Sequence, residues 1–288
     1  MSHFHKLFYR ISEADHARPG LALAAVPDSI VPAVQVAPTL ALSELPAEEA
    51  YLSPESRLVF LSDPRSHAAD RFRLLRMRLK SQGHDGKLKK LLITSPLPGD
   101  GKSTVVLNLA TALAERGKRS VLVLEADLHH PSIGRRLGLK PWPGLAECLA
   151  DSSLPRTSVM RRVEPLAWYF MSAGTPRRSP TELLQSSAFA QTMQELARTF
   201  DWIVVDSPPV IALSDAVSLQ QHVDGALMVV RAGNTPREAV EQAIALLGGK
   251  KTLGIVLNCA QVHERSHYGA YYYTSKEPGA ERESVVVY

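Results

Sequence analysis

The stretch Ser95–Thr104, SPLPGDGKST, joins an apolar run, Leu91-Leu92-Ile93, to a helix-forming segment, Thr104–Arg116, that Gly117 closes. A strand, a glycine-containing loop and a helix in that order commit the chain to an α/β sheet, because the loop must carry its backbone amides to the N-terminus of a helix packed on the strand. Such a loop attracts phosphate: consecutive N–H groups curl around the anion and the helix dipole adds to the pull. The match to G-x-x-x-x-G-K-[ST] is complete in its second half and departs at its first position, where Pro96 stands in place of glycine. In a loop of this type Pro98, Gly99, Asp100, Gly101, Lys102, Ser103 and Thr104 surround a nucleotide; Lys102 reaches the β- and γ-phosphates and Ser103 ligates Mg2+. ATP and Mg2+ are the cofactors expected.

The rest of the chain supplies a frame for that loop. Short apolar strands are predicted at Leu91–Thr94, Val121–Leu124, Leu166–Met171, Trp202–Val205, Ala226–Val230 and Gly254–Leu257. Helices are predicted near Thr104–Arg116, Gly144–Ala150, Thr181–Leu184, Ala188–Thr199, Asp215–His222 and Arg237–Leu247. Strands alternating with helices predict a mostly parallel sheet flanked by helices on both faces, the P-loop NTPase fold. An earlier helix begins by Ala68, with Phe72, Leu75 and Leu79 on one stripe and Asp70, Arg73 and Arg76 on the adjoining face. Residues 1–56 are rich in Pro and Ala without a lasting period and read as a disordered arm; 57–258 form the P-loop domain, and 259–288 form a flexible tail.

Composition narrows the function. Of 288 residues 22% are charged, and the formal net charge is +4 with the arginines in short local groups, Arg135-Arg136 among them, so no nucleic-acid partner is expected. The two cysteines, Cys148 and Cys259, form no C-x-x-C pair, which argues for a reducing compartment and against a cluster site. Between Leu21 and Leu42 the apolar character is broken by Pro27, Asp28, Pro32, Gln35 and Pro38, whereas a spanning helix needs about 20 mostly apolar residues. The expected location is therefore cytoplasmic, with any recruitment to the inner face of the membrane made through a partner.

Phosphoryl transfer relies on positioning and on charge neutralisation by Mg2+, so carboxylates are needed at the C-terminal ends of strands near the loop. Asp206 follows Trp202-Ile203-Val204-Val205 and precedes Ser207-Pro208-Pro209; Asp127 follows Val121–Ala126, with Glu125 expected to point the same way. Both Asp206 and Asp127 are candidate metal ligands and catalytic carboxylates, on strands that could flank the loop-bearing one; a helix cap is the plain alternative for each. Asp215 reads as an N-terminal helix residue. His129 is a contact to phosphate or acceptor, or simply exposed, and its pairing with His130 on one ion is disfavoured because extended neighbours point apart. Five of the eight tyrosines, Tyr268, Tyr271, Tyr272, Tyr273 and Tyr288, crowd the C-terminal end among Gly, Ala, Ser, Lys and Glu. They form an acceptor cluster, an adhesive patch or an edge strand.

From about Leu58 onward the chain resembles the bacterial tyrosine kinases of exopolysaccharide and capsule loci. SPLPGDGKST is similar to that family's Walker A, VLVLEADLHHP to its Walker A′, and WIVVDSPPV to its Walker B; DRFRLLR looks like its E-x-x-R-x-x-R oligomerisation motif. Three departures stand out: Glu125 and His129 lie where the A′ pattern D-x-D-x-R carries its first aspartate and its arginine, and Asp70 replaces glutamate. The resemblance implies an ATP-dependent tyrosine autokinase controlling polysaccharide chain length and export. Lys102, Asp127 and Asp206 would be its catalytic groups, Asp127 accepting the tyrosine proton, and Asn258 a contact to adenine, with a core or turn role as the alternative. Tyr268, Tyr271, Tyr272, Tyr273 and Tyr288 would be phosphoacceptors, and Asp70, Arg73 and Arg76 an interface within a homo-oligomer, possible as a ring. The implied partners are a membrane polysaccharide co-polymerase as activator and a cognate tyrosine phosphatase. Two other readings share the fold: an ATPase switch of the partition or division-site type, whose signature lysine is here Leu97, and a nucleotide-dependent scaffold for a transporter.

Overall fold

A computed structural model describes residues 41–52, 54–83, 87–175, 179–260 and 284–287. Its centre is a sheet whose inner strands are apolar between their ends: β2 (Lys90–Thr94), β3 (Val121–Glu125), β6 (Trp202–Asp206) and β7 (Gly225–Arg231). Continuous apolar runs of this kind are what a strand buried on both faces requires. The alternation within them divides the core in two. Leu91, Ile93, Val121, Val123, Trp202 and Val204 pack on one face with helices α2 (His67–Gln82) and α3 (Lys102–Ala114). Leu92, Leu122, Leu124, Ile203 and Val205 pack on the other with α5 (Leu145–Ala150), α6 (Pro180–Leu184) and α7 (Ser187–Thr199). A third cluster joins α8 (Asp215–Gln220) and α9 (Arg237–Leu247) with β7 and β8 (Thr252–Ala260).

Three strands were not expected. β1 (Ala47–Glu49), β4 (Met160–Glu164) and β9 (Ser284–Val287) complete, among the described residues, the order β1-β4-β5-β3-β6-β2-β7-β8-β9, with β5 at Trp168–Met171. Pairing is parallel except for the β4–β5 hairpin and the antiparallel β8–β9 pair. Order therefore starts earlier than the sequence suggests. β1, inside the stretch read as an arm, joins the sheet through its backbone, with Ala50 N–H continuing onto the Glu164 carbonyl at 2.9 Å. Behind it, the buried Asn108 of α3 donates Nδ2 to the Arg57 carbonyl at 2.8 Å and accepts the Val59 amide on Oδ1 at 2.9 Å. That fixes the entry of α1 (Val59–Ser62). Residues 1–40 and the tyrosine-bearing 261–283 lie outside the described residues, as does Tyr288.

The topology also moves one expected neighbour. β6 is hydrogen-bonded directly to the loop-bearing β2, but β3 lies one strand further away, on the far side of β6. Asp127 nevertheless borders the same cavity as Gly99 and Lys102 of the loop, because the chain runs on beyond β3 beside the end of β6, with Ala126 N–H on the Asp206 carbonyl at 2.9 Å.

Candidate active site

The phosphate loop leaves β2 and turns into α3 through two residues with left-handed backbone, Gly99 (φ 84°) and Gly101 (φ 95°). At Gly101 a β-carbon would fall on Nδ2 of Asn258, so glycine is required there both by backbone conformation and by space. The loop is held from beneath. Asp100, fully buried, accepts the Leu97 amide at 3.1 Å on one carboxylate oxygen and the Thr235 hydroxyl at 2.6 Å on the other. Asn258 donates its side-chain amide to the Asp100 carbonyl at 2.9 Å. Asn258, expected as an adenine contact with a core or turn role as the alternative, props the loop here, because β8 delivers its side chain under the loop, where the missing β-carbon of Gly101 leaves room.

Above the loop lies a cavity of about 440 Å3, lined by Pro98, Gly99, Gly101, Lys102, Ser103, Asp127, His129, His130, Ser132, Arg136, Pro209, Ala212 and Leu213. Ser103 Oγ donates to Asp206 Oδ2 at 2.9 Å and lies 3.1 Å from Ser132 Oγ. Asp206 is 2% exposed, and its Oδ1 has no hydrogen-bond partner among the described residues. Burial pushes its carboxyl up to about 7; Glu125 and Asp127 add to the rise, and Lys102 with the Ser103 hydroxyl opposes it. An orphaned carboxylate oxygen beside a serine hydroxyl at the start of the loop helix is a donor set suited to a hard divalent cation, and the curled loop amides are suited to phosphate. The residues thus fit Mg2+ and a nucleotide.

Two acidic residues of the A′ stretch have different tasks. Asp127 borders the cavity and accepts the His130 amide at 3.0 Å, closing a tight turn. Glu125 does not face the cavity as expected. Its Oε1 accepts the amides of Ser132 (2.7 Å) and Ile133 (2.6 Å), and its Oε2 accepts that of Ala173 (3.2 Å). Burial raises its pKa in spite of these three bonds. It is the anchor of the short helix α4 (Ile133–Arg136), because a buried carboxylate must find donors and the N-terminus of a helix offers them.

His129 borders the cavity, and its Nε2 lies 2.9 Å from Asp215 Oδ2. Asp215 is the first residue of α8, as expected, is 1% exposed, and also accepts the Thr181 hydroxyl at 2.7 Å. Helices α6 and α8 and the bend at His129 meet at this carboxylate. Asp215→Ala should therefore cost roughly 1–3 kcal/mol in urea unfolding, since it removes a buried carboxylate that holds two partners, and His129→Ala clearly less, since that ring is partly exposed. Equal losses in the two variants would show that Asp215 is not the hub.

In the oligomerisation motif, Arg73 pairs with Asp70 at 2.6 Å and donates to the Pro64 carbonyl, while Arg76 turns inward to the Ala112 carbonyl at 3.1 Å, near the end of α3. Sequence reasoning missed Arg136. Its Nη1 reaches Thr104 Oγ1 at 3.3 Å at the cavity wall, a placement no periodicity announces because α4 is a single turn.

A family model described as "ParA: NUBPL iron-transfer P-loop NTPase" matches residues 87–283. The chain is 30% identical over 225 residues to the tyrosine-protein kinase YwqD of Bacillus subtilis, covering 77% of this chain and 93% of that one. This chain belongs to the bacterial tyrosine kinases. The kinase is also 31% identical over 217 residues to the succinoglycan biosynthesis transport protein ExoP of Rhizobium meliloti, of which it spans 27%, using 74% of its own length. Among solved structures it superimposes on the kinase domain of the Escherichia coli tyrosine kinase Etk with a TM-score of 0.68 at 25% identity, over 73% of this chain and 83% of that one. Cys148 is buried, and among the described residues there is no group of three or more His, Cys, Asp or Glu that could hold a metal ion. No helix among them is long and apolar enough to cross a membrane.

Proposed function

We propose that this kinase phosphorylates the tyrosines of its own C-terminal stretch, Tyr268, Tyr271, Tyr272, Tyr273 and Tyr288, on a neighbouring subunit, and so regulates the length or export of an exopolysaccharide. The observation that carries the reading is the Ser103–Asp206 pair with its unpartnered Oδ1, set against the phosphate loop. When bound, Mg-ATP supplies the phosphoryl group together with the charge neutralisation that its transfer needs. Lys102 and the loop amides hold the phosphates, and Ser103 and Asp206 hold the ion. Asp127, at the cavity wall, accepts the proton of the incoming tyrosine hydroxyl. Leu213, Ala212 and Pro209 form the apolar part of that wall and limit water there.

Asp70, Arg73 and Arg76 lie on one helix and are assigned to the contact between subunits. A membrane-bound polysaccharide co-polymerase would recruit and activate the kinase at the inner face of the membrane, a reading supported by its likeness to part of a polysaccharide transport protein. A tyrosine phosphatase would reverse the modification. Each phosphate adds a charge of roughly −1.5 to −2, which favours separation of subunits.

Incubation with Mg-ATP, with and without the cytoplasmic segment of the candidate co-polymerase, followed by phosphotyrosine mapping, tests this. Modification within Tyr268–Tyr273 that disappears in Lys102→Met is the expected result. Hydrolysis of ATP with no modified tyrosine under either condition would instead support a nucleotide switch.

A further inference from the structure

Adjacent arginines at the end of α4 have opposite fates. Arg135 is exposed, and its Nη2 donates to the Pro131 carbonyl at 3.0 Å. Arg136 is half-buried, borders the cavity and donates Nη1 to Thr104 Oγ1 at 3.3 Å. The position is imposed from below, since Glu125 clamps the amides at the start of α4 and so fixes where its last residue emerges. Arg136 thereby enters the cavity wall beside the first turn of α3. Among the described residues its hydrogen-bond partner is a hydroxyl, which leaves a guanidinium with further donors beside a space built for phosphate.

We propose that Arg136 is a second phosphate-binding cation of this site, contacting the part of the phosphate chain that ATP and ADP share. This rests on the nucleotide reading above. Lys102 and Ser103 serve the terminal phosphates and the ion. Arg136 meets the first turn of α3 at Thr104, beyond those two residues, where the inner phosphates of a nucleotide cradled by the loop belong. A planar guanidinium presents two parallel donors to phosphate oxygens and keeps its charge at any physiological pH. It also places a positive charge in a site whose A′ stretch carries His129 and not an arginine.

The test is the affinity for Mg-ATP and Mg-ADP, read by displacement of a fluorescent ADP analogue from the full chain, for the unmodified protein and for Arg136→Ala, Arg136→Lys and Arg135→Ala. Arg136→Ala should weaken both nucleotides to a similar extent, by about tenfold or more, the usual effect of losing a charge-assisted hydrogen bond. Arg136→Lys should recover part of the loss, and Arg135→Ala should bind within about twofold of the unmodified protein. If Arg136→Ala melts well below the unmodified protein, Arg136→Lys decides: a loss of about threefold or more for both nucleotides supports the assignment. Binding of both within twofold by the Arg136 variants overturns the proposal and leaves the nucleotide reading intact. A loss confined to ATP also overturns it, because it would put the guanidinium at the terminal phosphate. Failure of the unmodified protein to bind either nucleotide would overturn the nucleotide reading itself.

Discussion

Asp206→Asn should abolish tyrosine phosphorylation and, at the same time, raise the melting temperature of the metal-free kinase. The first effect follows from removing a charge that the cation needs, and a fall of at least ~10²–10³-fold is expected. The second follows from the environment of the carboxyl. It is buried with one oxygen unpartnered, and desolvation, aided by Glu125 and Asp127, pushes it up to about 7. In the unfolded chain the same group ionises near its ordinary value of 3.8. The folded protein therefore retains a proton that the unfolded chain gives up, and stability from this group, present at low pH, is lost as pH rises toward 7. At pH 8 the metal-free fold carries the full cost of an ionised, desolvated carboxylate. Asparagine removes that charge while retaining an oxygen for the Ser103 hydroxyl. The gain should be roughly 1–3 kcal/mol at pH 8, or about 3–10 °C for a domain of this size, and should shrink by pH 5. Thermal melts in EDTA at the two pH values measure it. An unchanged or lower melting point at pH 8 would refute the claim that Asp206 is kept at a cost to stability.

Gly101→Ala should disable the loop. The new methyl group meets Asn258 Nδ2 while the backbone stays at φ 95°, a conformation that costs an ordinary residue about 1–2 kcal/mol before any clash. Relief of the clash displaces the Asn258 amide from the Asp100 carbonyl, and with it the support of the whole turn. Nucleotide affinity should fall by ~10²-fold or more, equivalent to about 3 kcal/mol. Gly99→Ala makes the useful comparison, since no atom lies near its added methyl group and only the backbone strain at φ 84° remains. Its loss should be clearly smaller. The double variant Gly101→Ala with Asn258→Gly should recover part of the binding. If Gly101→Ala binds Mg-ATP within twofold of the unmodified kinase, the packing account of this glycine fails.

The sequence was most informative where burial is two-sided. β2, β3, β6 and β7 announce themselves as apolar runs, and the loop, Asp206 and Asp127 follow from where those runs end. Legibility ended where structure is made by the backbone. β1 and β4, with Glu48 and Arg161-Arg162 among their residues, carry no apolar stretch, and their pairing depends on partners far away in the chain. Glu125 shows the same limit in the site. Strand alternation predicts its side, but the free amides of Ser132, Ile133 and Ala173, which only the folded chain assembles, determine what it binds. Asn258 was read from its position after a strand, and the absent side chain of Gly101 that gives it room is visible only in three dimensions.

The antiparallel pairing of β9 with β8 makes β9 the border of the sheet among the described residues. Its register sets Val287 against Val256 and Ser284 against Ala260. A strand arriving from a neighbour must add beyond β9 or first peel Ser284–Val287 away. Peeling would uncover the row of amides and carbonyls along β8, a surface that invites a strand from another chain. Releasing this border strand and recruiting a companion would then be one movement.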